Sequence, residues 1–224
     1  MRNMIVELLR SLLLVVGALF PIVNSPENIP LFLDLTSGFP AKSREILARK
    51  IAMNGFALLV VSVLIGTHIL AFFGISLPVV QVGGGLVLIA VGWQLLHQED
   101  DKPPAPRLTA PTSSALSRLA FHPLTMPLTV GPGSISVAIA VGANRNPRSE
   151  GTWILLAASV LGCAVLALTI YLLYRFAEPL GRILGDTAMS IIIRLSSFIL
   201  VCIGVQIVWN GVSALLQTIP IRHG

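Results

Sequence analysis

Pro21-Ile22-Val23-Asn24-Ser25-Pro26-Glu27-Asn28-Ile29 and Pro127-Leu128-Thr129-Val130-Gly131-Pro132-Gly133-Ser134-Ile135 share one layout: Pro, four residues, Pro, two residues, Ile. Each interrupts an apolar run long enough to enter a membrane. Proline lacks a backbone donor and clashes with the preceding turn, so each break frees backbone groups that lipid cannot satisfy. Such breaks are tolerated only beside protein or a wet cavity. Two of them at matching places in two halves of one chain point to a transporter's binding site.

Composition places these breaks in a bilayer. Of 224 residues, 54% are hydrophobic and 11% charged, and the mean hydropathy is +0.86. A soluble domain carries about 25% charged residues, so this chain must turn much of its surface to lipid. The 15 Lys and Arg outnumber the 10 Asp and Glu. They sit at the ends of apolar runs, where membrane proteins place them, and do not point to nucleic acid. The first 20 residues resemble a signal peptide only loosely. Glu7 interrupts the basic start, no Ala-x-Ala-like site follows, and the apolar stretch runs on to Leu35. They read as a retained first span. Cys163 and Cys202 lie within apolar runs and read as small packing residues.

Windows of about 20 apolar residues predict six spans: 4–36 (broken), 47–71, 77–97, 117–143 (broken), 152–174 and 187–218. The hydrophilic linker 98–117 divides a single membrane domain, 1–224, into repeat 1 (1–97) and repeat 2 (118–224). A shift of 106 lays Pro21 on Pro127, Pro26 on Pro132 and Ile29 on Ile135; a shift of 112 lays Gly92 on Gly204 and Gln94 on Gln206. Three spans per copy turn the second copy upside down, a 3+3 inverted repeat. Nine Lys and Arg (42, 44, 49, 50, 102, 107, 118, 175, 182) fall in the 1–2, 3–4 and 5–6 connections, against five (2, 10, 145, 148, 222) on the other side. Short cytoplasmic loops collect Lys and Arg, so both termini are expected on the non-cytoplasmic side.

Each break also reads as a helix start, with Ser25 or Gly131 as cap and Pro26 or Pro132 at the first helical position. A helix starting inside a membrane presents free N–H groups and about half a positive charge, an anion site. Gly131 and Gly133 would let a ligand near the backbone, and Thr129, Ser134 and Ser136 add hydroxyls. Glu27 either caps its own helix, pairs with a substrate ammonium or carries a coupling proton. Asp34 reads as interfacial. Arg194 either snorkels or pairs with Glu27 or Asp34. Gln94 and Gln206 read as helix–helix glue, and Gly83-Gly84-Gly85 as a close helix contact. His68 and His122 have no second ligand at metal spacing, and no His-Glu-x-x-His, Gly-x-Ser-x-Gly or Walker pattern occurs.

The segments Phe20-Pro21-Ile22-Val23-Asn24, Asn28-Ile29-Pro30-Leu31-Phe32, Phe73-Gly74-Ile75-Ser76-Leu77-Pro78, Pro123-Leu124-Thr125-Met126-Pro127 and Gly131-Pro132-Gly133-Ser134-Ile135, with Gly204-Val205-Gln206, resemble the MarC family of bacterial and archaeal inner-membrane proteins. At the first break many members read Asn-Pro-x-Gly-Asn, whereas this chain has Asn24-Ser25-Pro26-Glu27-Asn28. The resemblance implies a multi-pass inner-membrane protein that moves glycine and similar small neutral amino acids. The expectation is an all-α membrane protein of six helices, with spans 1 and 4 discontinuous, either crossing the bilayer or dipping in and returning. It is not an enzyme and has no resident cofactor, only a coupling proton or sodium ion. Its small-molecule substrate would be held by Asn24, Glu27, Asn28, Thr129, Gly131, Gly133, Ser134 and Ser136. The alternatives are a channel or passive exporter, or a non-transporting scaffold.

Overall fold

Helix is what an apolar chain forms where water cannot serve its backbone, and every element among the described residues is helical. The computed structural model describes residues 2–23, 28–97, 113–143 and 152–217. In order these form α1 (Arg2–Val23), α2 (Asn28–Leu35), α3 (Ala41–Phe72), α4 (Leu77–Leu96), α5 (Ser113–Leu119), a wide-turned segment (Ala120–Thr129), α6 (Pro132–Ala143), α7 (Thr152–Arg175) and α8 (Ala177–Gln217). Five stretches are long and apolar enough to cross a membrane: Val6–Val23, Ala41–Phe72, Leu77–Leu96, Leu156–Arg175 and Thr187–Gln217. A sixth follows if Ser114–Thr129 and Pro132–Ala143, bent by 70° at their junction, count as one.

Local chemistry sets the ends. Pro78 lies in the first turn of α4 and Pro132 opens α6, where the missing donor does no harm. Gly185, at φ 67° and ψ 171°, breaks the helical path of α8, and the crossing part begins just beyond it. α3 starts at Ala41 rather than residue 47, because its basic first turns continue the helix beyond the hydrocarbon. Its 32 residues make about 48 Å against a bilayer core of about 30 Å.

Two expectations change. α1 runs unbroken past Pro21 to Val23, so Pro21 costs the helix one backbone donor, toward Gly17 O, without ending it; Asn24, Ser25, Pro26 and Glu27 lie outside the described residues. Cys163 is buried, but Cys202 is exposed and does not fill the core as a packing residue would.

Packing follows small residues. A β-carbon on Gly85 would fall 2.7 Å from Gly204 O, one on Gly204 2.8 Å from Gly85 O, one on Gly92 2.9 Å from Ser197 O and one on Gly211 2.6 Å from Pro78 O. α4 and α8 thus run antiparallel in backbone contact, as helices do where lipid supplies no hydrophobic drive between them. Gly84 sits under Ser136 of α6, while Gly83 meets nothing within 4 Å, so the triple glycine contributes two contacts rather than three. The larger core gathers Leu19, Phe32, Leu47, Ile51, Leu59, Leu124, Leu166 and Ile170, all fully buried or nearly so. Phe72, Trp153 and Ile183 are about as exposed as side chains get.

Gly83→Ala should raise stability by up to about 1 kcal/mol through helix propensity, whereas Gly85→Ala should lower it by about 1–3 kcal/mol through overpacking. Melting of the two variants in one detergent checks the sign of each.

Candidate functional site

The segment Ala120–Thr129 departs from helical geometry at His122 (φ −127°, ψ 123°) and Met126 (φ −118°, ψ 121°), ahead of Pro123 and Pro127, and both X–Pro bonds are cis. The residue before a proline is pushed to extended backbone, so two prolines four residues apart open the coil twice. Side-chain hydroxyls of the segment turn back onto its own carbonyls. Thr125 Oγ1 donates to Ala120 O (2.6 Å) and Thr129 Oγ1 to Leu124 O (2.6 Å). Val130 N donates to Thr125 O (2.8 Å). Tyr174 of α7 completes the set: its hydroxyl lies 2.7 Å from Thr129 Oγ1 and its ring 4.7 Å from Phe32.

The two breaks meet here. Asn28, the first residue of α2, donates from Nδ2 to Leu128 O across 100 residues of sequence (3.1 Å). A small cavity of about 10 Å³ lies between them, lined by Val23, Asn28, Ile29, Thr129, Ile170, Leu173 and Tyr174, room for about one water. α6 then starts with the chain turned by 70°. Ser134 Oγ donates to Gly131 O (2.9 Å), Ser136 Oγ to Gly133 O (2.8 Å), and Ile135 N to Gly131 O (3.1 Å). The hydroxyls all serve acceptors, so the first turn of α6 has donors to offer.

Beside the breaks lies a cleft of about 560 Å³ between α1, α4, α6, α7 and α8. Ser11, Gln81, Ser159, Gln206 and Asn210 give it polar groups, Val15, Ala18, Ile22, Val137, Ala140 and Ile207 among others its apolar wall, and none of its lining residues is charged. Gln206 Nε2 donates to Asn210 Oδ1 (2.9 Å). Gln81 and Ser159 fall early in α4 and α7 and Gln206 and Asn210 late in α8, while on α1 the lining runs from Ser11 to Ile22, down to the first break. Ile22 and Ile207 of the wall join Leu88 and Leu200 in a small apolar cluster, with Val137 and Ile203 against it. Leu88 reaches from that cluster onto Gly133: a β-carbon there would fall within its side chain.

Residues 9–216 match the family described as MarC family integral membrane protein. The chain belongs to the MarC family. Proteins named UPF0056 inner membrane protein MarC, from Escherichia coli O1:K1 and from Escherichia coli strain K12, are each 29% identical over 217 residues, covering 95% of this chain and 98% of theirs. No solved structure matches.

Of the expected site residues in this MarC-family chain, Asn28 and Thr129 come together around the small cavity. Gly131, Gly133, Ser134 and Ser136 follow at the start of α6; Asn24 and Glu27 lie outside the described residues. Gly133 is covered by Leu88, and a β-carbon on Gly131 would fall 2.9 Å from Pro127 O. In this conformation both glycines admit protein rather than ligand. Asp34, Arg194, His68 and His122 are exposed, and no metal-sized group of His, Cys, Asp or Glu occurs among the described residues. Ser11, Gln81, Ser159, Asn210 and Tyr174 were not singled out by sequence; each is a lone polar residue in an apolar run, a signal shared with ordinary helix contacts.

Asn28→Asp should destabilise more than Asn28→Ala. Alanine forfeits one buried hydrogen bond, about 1–3 kcal/mol, while a carboxylate would also face the Leu128 carbonyl. Chemical denaturation in detergent ranks the two.

Proposed function

We propose that this protein is a secondary transporter of small neutral amino acids or similar small zwitterions in the inner membrane. It would be built as six spans in a 3+3 inverted repeat, with spans 1 and 4 discontinuous and both termini non-cytoplasmic. The observation that carries the reading is the Asn28–Leu128 contact, which joins the two sequence breaks beside an intramembrane helix start. The uncharged cleft of about 560 Å³ supports it, since ligand sites run to about 300–1,000 Å³. The inner-membrane location agrees with the names of the relatives.

The repeat is supported by packing as well as by sequence. Gly92 meets Ser197 and Val201; adding 112 to the first and subtracting it from the others gives Gly204 against Gly85 and Ile89, which is the second contact found. Leu88 and Leu200, the same interval apart, share one cluster. A dyad through that cluster would exchange the two halves, the basis for rocking one against the other.

On this reading a substrate carboxylate takes the amides of Gly133 and Ser134 once Leu88 withdraws, where helix polarity favours negative charge. The ammonium takes Leu128 O and Asn28 Oδ1, and Glu27, read from the sequence alone, would supply the counter-charge. Closure excludes water and strengthens both contacts. No resident cofactor is needed; the gradient of a proton or sodium ion would drive accumulation.

Proteoliposomes loaded with unlabelled glycine or alanine should take up external labelled amino acid faster than empty ones. Flux without such trans-stimulation would indicate a pore, and no flux, with no ligand-induced rise in Tm, a scaffold. Ala140→Trp, which fills the cleft, should cut uptake by about tenfold, ~1.4 kcal/mol of barrier, with melting little changed.

A further inference from the structure

We infer that the face formed by α3 and α7, at the end of the bundle opposite the cleft, binds one anionic phospholipid, its phosphate held by Lys42, Arg49 and Lys50 and an acyl chain lying in the apolar groove that continues from Arg49.

Two adjoining depressions carry this. The first, about 700 Å³, is walled by Lys42, Glu45, Arg49, Lys50 and Tyr171 among others. The second, about 380 Å³, is floored by Ala52, Ala164 and Ala167 and flanked by Phe56 and Leu168. Arg49, Met53 and Tyr171 line both, so the two form one continuous surface. A cationic mouth opening onto an apolar trough matches a phospholipid, which joins the two chemistries in one molecule. A free anion would leave the trough uncovered, and an uncharged apolar ligand would leave the cations unmatched.

The charge balance favours an anion. Glu45 is the acidic residue of the wall, and Arg175 takes it at 2.8 Å; Tyr171 lies against both. Lys50 Nζ donates to Ser117 Oγ (2.9 Å), and an ammonium has further donors for phosphate. Arg49 can present two parallel N–H groups to phosphate oxygens.

Depth agrees with charge. α3 exceeds the hydrocarbon by roughly 18 Å, and its charged residues crowd the Ala41 end. Arg49 lies about 12 Å along the axis from there, and Phe56 about 10 Å further, so the cations stand at headgroup level and the trough at acyl level. Met53 is 61% and Leu168 57% exposed, as side chains bordering a lipid would be. Basic recesses between membrane helices select anionic headgroups in this way. The assignment does not depend on transport.

Delipidated protein in a neutral detergent, titrated with dioleoylphosphatidylglycerol or dioleoylphosphatidylcholine, tests it by native mass spectrometry and melting. One phosphatidylglycerol should be retained per chain, with a higher Tm than phosphatidylcholine gives. Arg49→Gln should weaken that binding about fivefold, the effect of one basic residue at an anionic surface, and Arg49→Lys should restore most of it. Ala167→Phe, which fills the trough, should weaken both lipids. Lipid-free melting of each variant separates lost binding from lost folding. Equal retention of the two lipids, full retention by Arg49→Gln, or an equal Tm rise from glycerol phosphate alone would each overturn the assignment.

Discussion

A backbone group inside hydrocarbon must find its partner within the protein, and the structure around Leu128 is organised by that demand. In water a helix interrupted by Pro123 and Pro127 would leave its freed carbonyls to solvent. In lipid each orphan would cost several kcal/mol. Thr125 and Thr129 turn their hydroxyls back to Ala120 and Leu124, and Asn28 crosses from α2 to close Leu128. The bend is therefore held from both halves of the chain. Acceptors are met by side chains on the near side of the bend, while on the far side α6 begins with amides aimed inward. On the proposed function, that polarity rather than any charged side chain would favour an anion.

The glycines on α4 and α8 answer a second demand of the same solvent. Lipid tails wet an apolar helix as well as another helix does, so association rests on close contact. Gly85, Gly92, Gly204 and Gly211 bring backbones together, and the dispersion gained there does what hydrophobic burial does in water. Each of these glycines also receives a branched side chain of the facing helix: Val208 at Gly85, Val201 at Gly92, Ile89 at Gly204 and Val82 at Gly211.

Much of this was legible in the sequence because lipid simplifies it. Apolar runs gave the membrane helices to within a few residues except where charge extended them, as at Ala41. Pro132 marked a helix start because a missing donor is harmless only there. Pro21 misled: it has the sequence layout of Pro127, yet α1 passes through it. A single proline near a helix end can be absorbed, whereas Pro127 acts with Pro123 four residues before it. The cleft was not legible. Ser11, Gln81, Ser159 and Asn210 come from four different helices, and nothing in the spacing of one helix reports what another brings opposite it. The cover on Gly133 was hidden for the same reason, since Leu88 is an unremarkable leucine in an apolar run until α4 is docked on α6.

The two ends of the bundle differ in how they are held. At the basic end, Arg44 pairs with Glu178 and Arg175 with Glu45, both at 2.8 Å, tying α3 to α8 and α7 to α3. At the other end α1, α6 and α8 part around an uncharged cleft. The ties are partly exposed, so each is worth no more than about 1 kcal/mol. In the proposed transport cycle, such ties would hold one end shut without fixing it. A ligand that binds one arrangement about 100-fold better contributes ~2.7 kcal/mol, comparable to both ties broken together. For a carrier that must open alternately, weak exposed pairs at the closed end are what the energetics require, because a buried pair of 3–5 kcal/mol would trap it on one side.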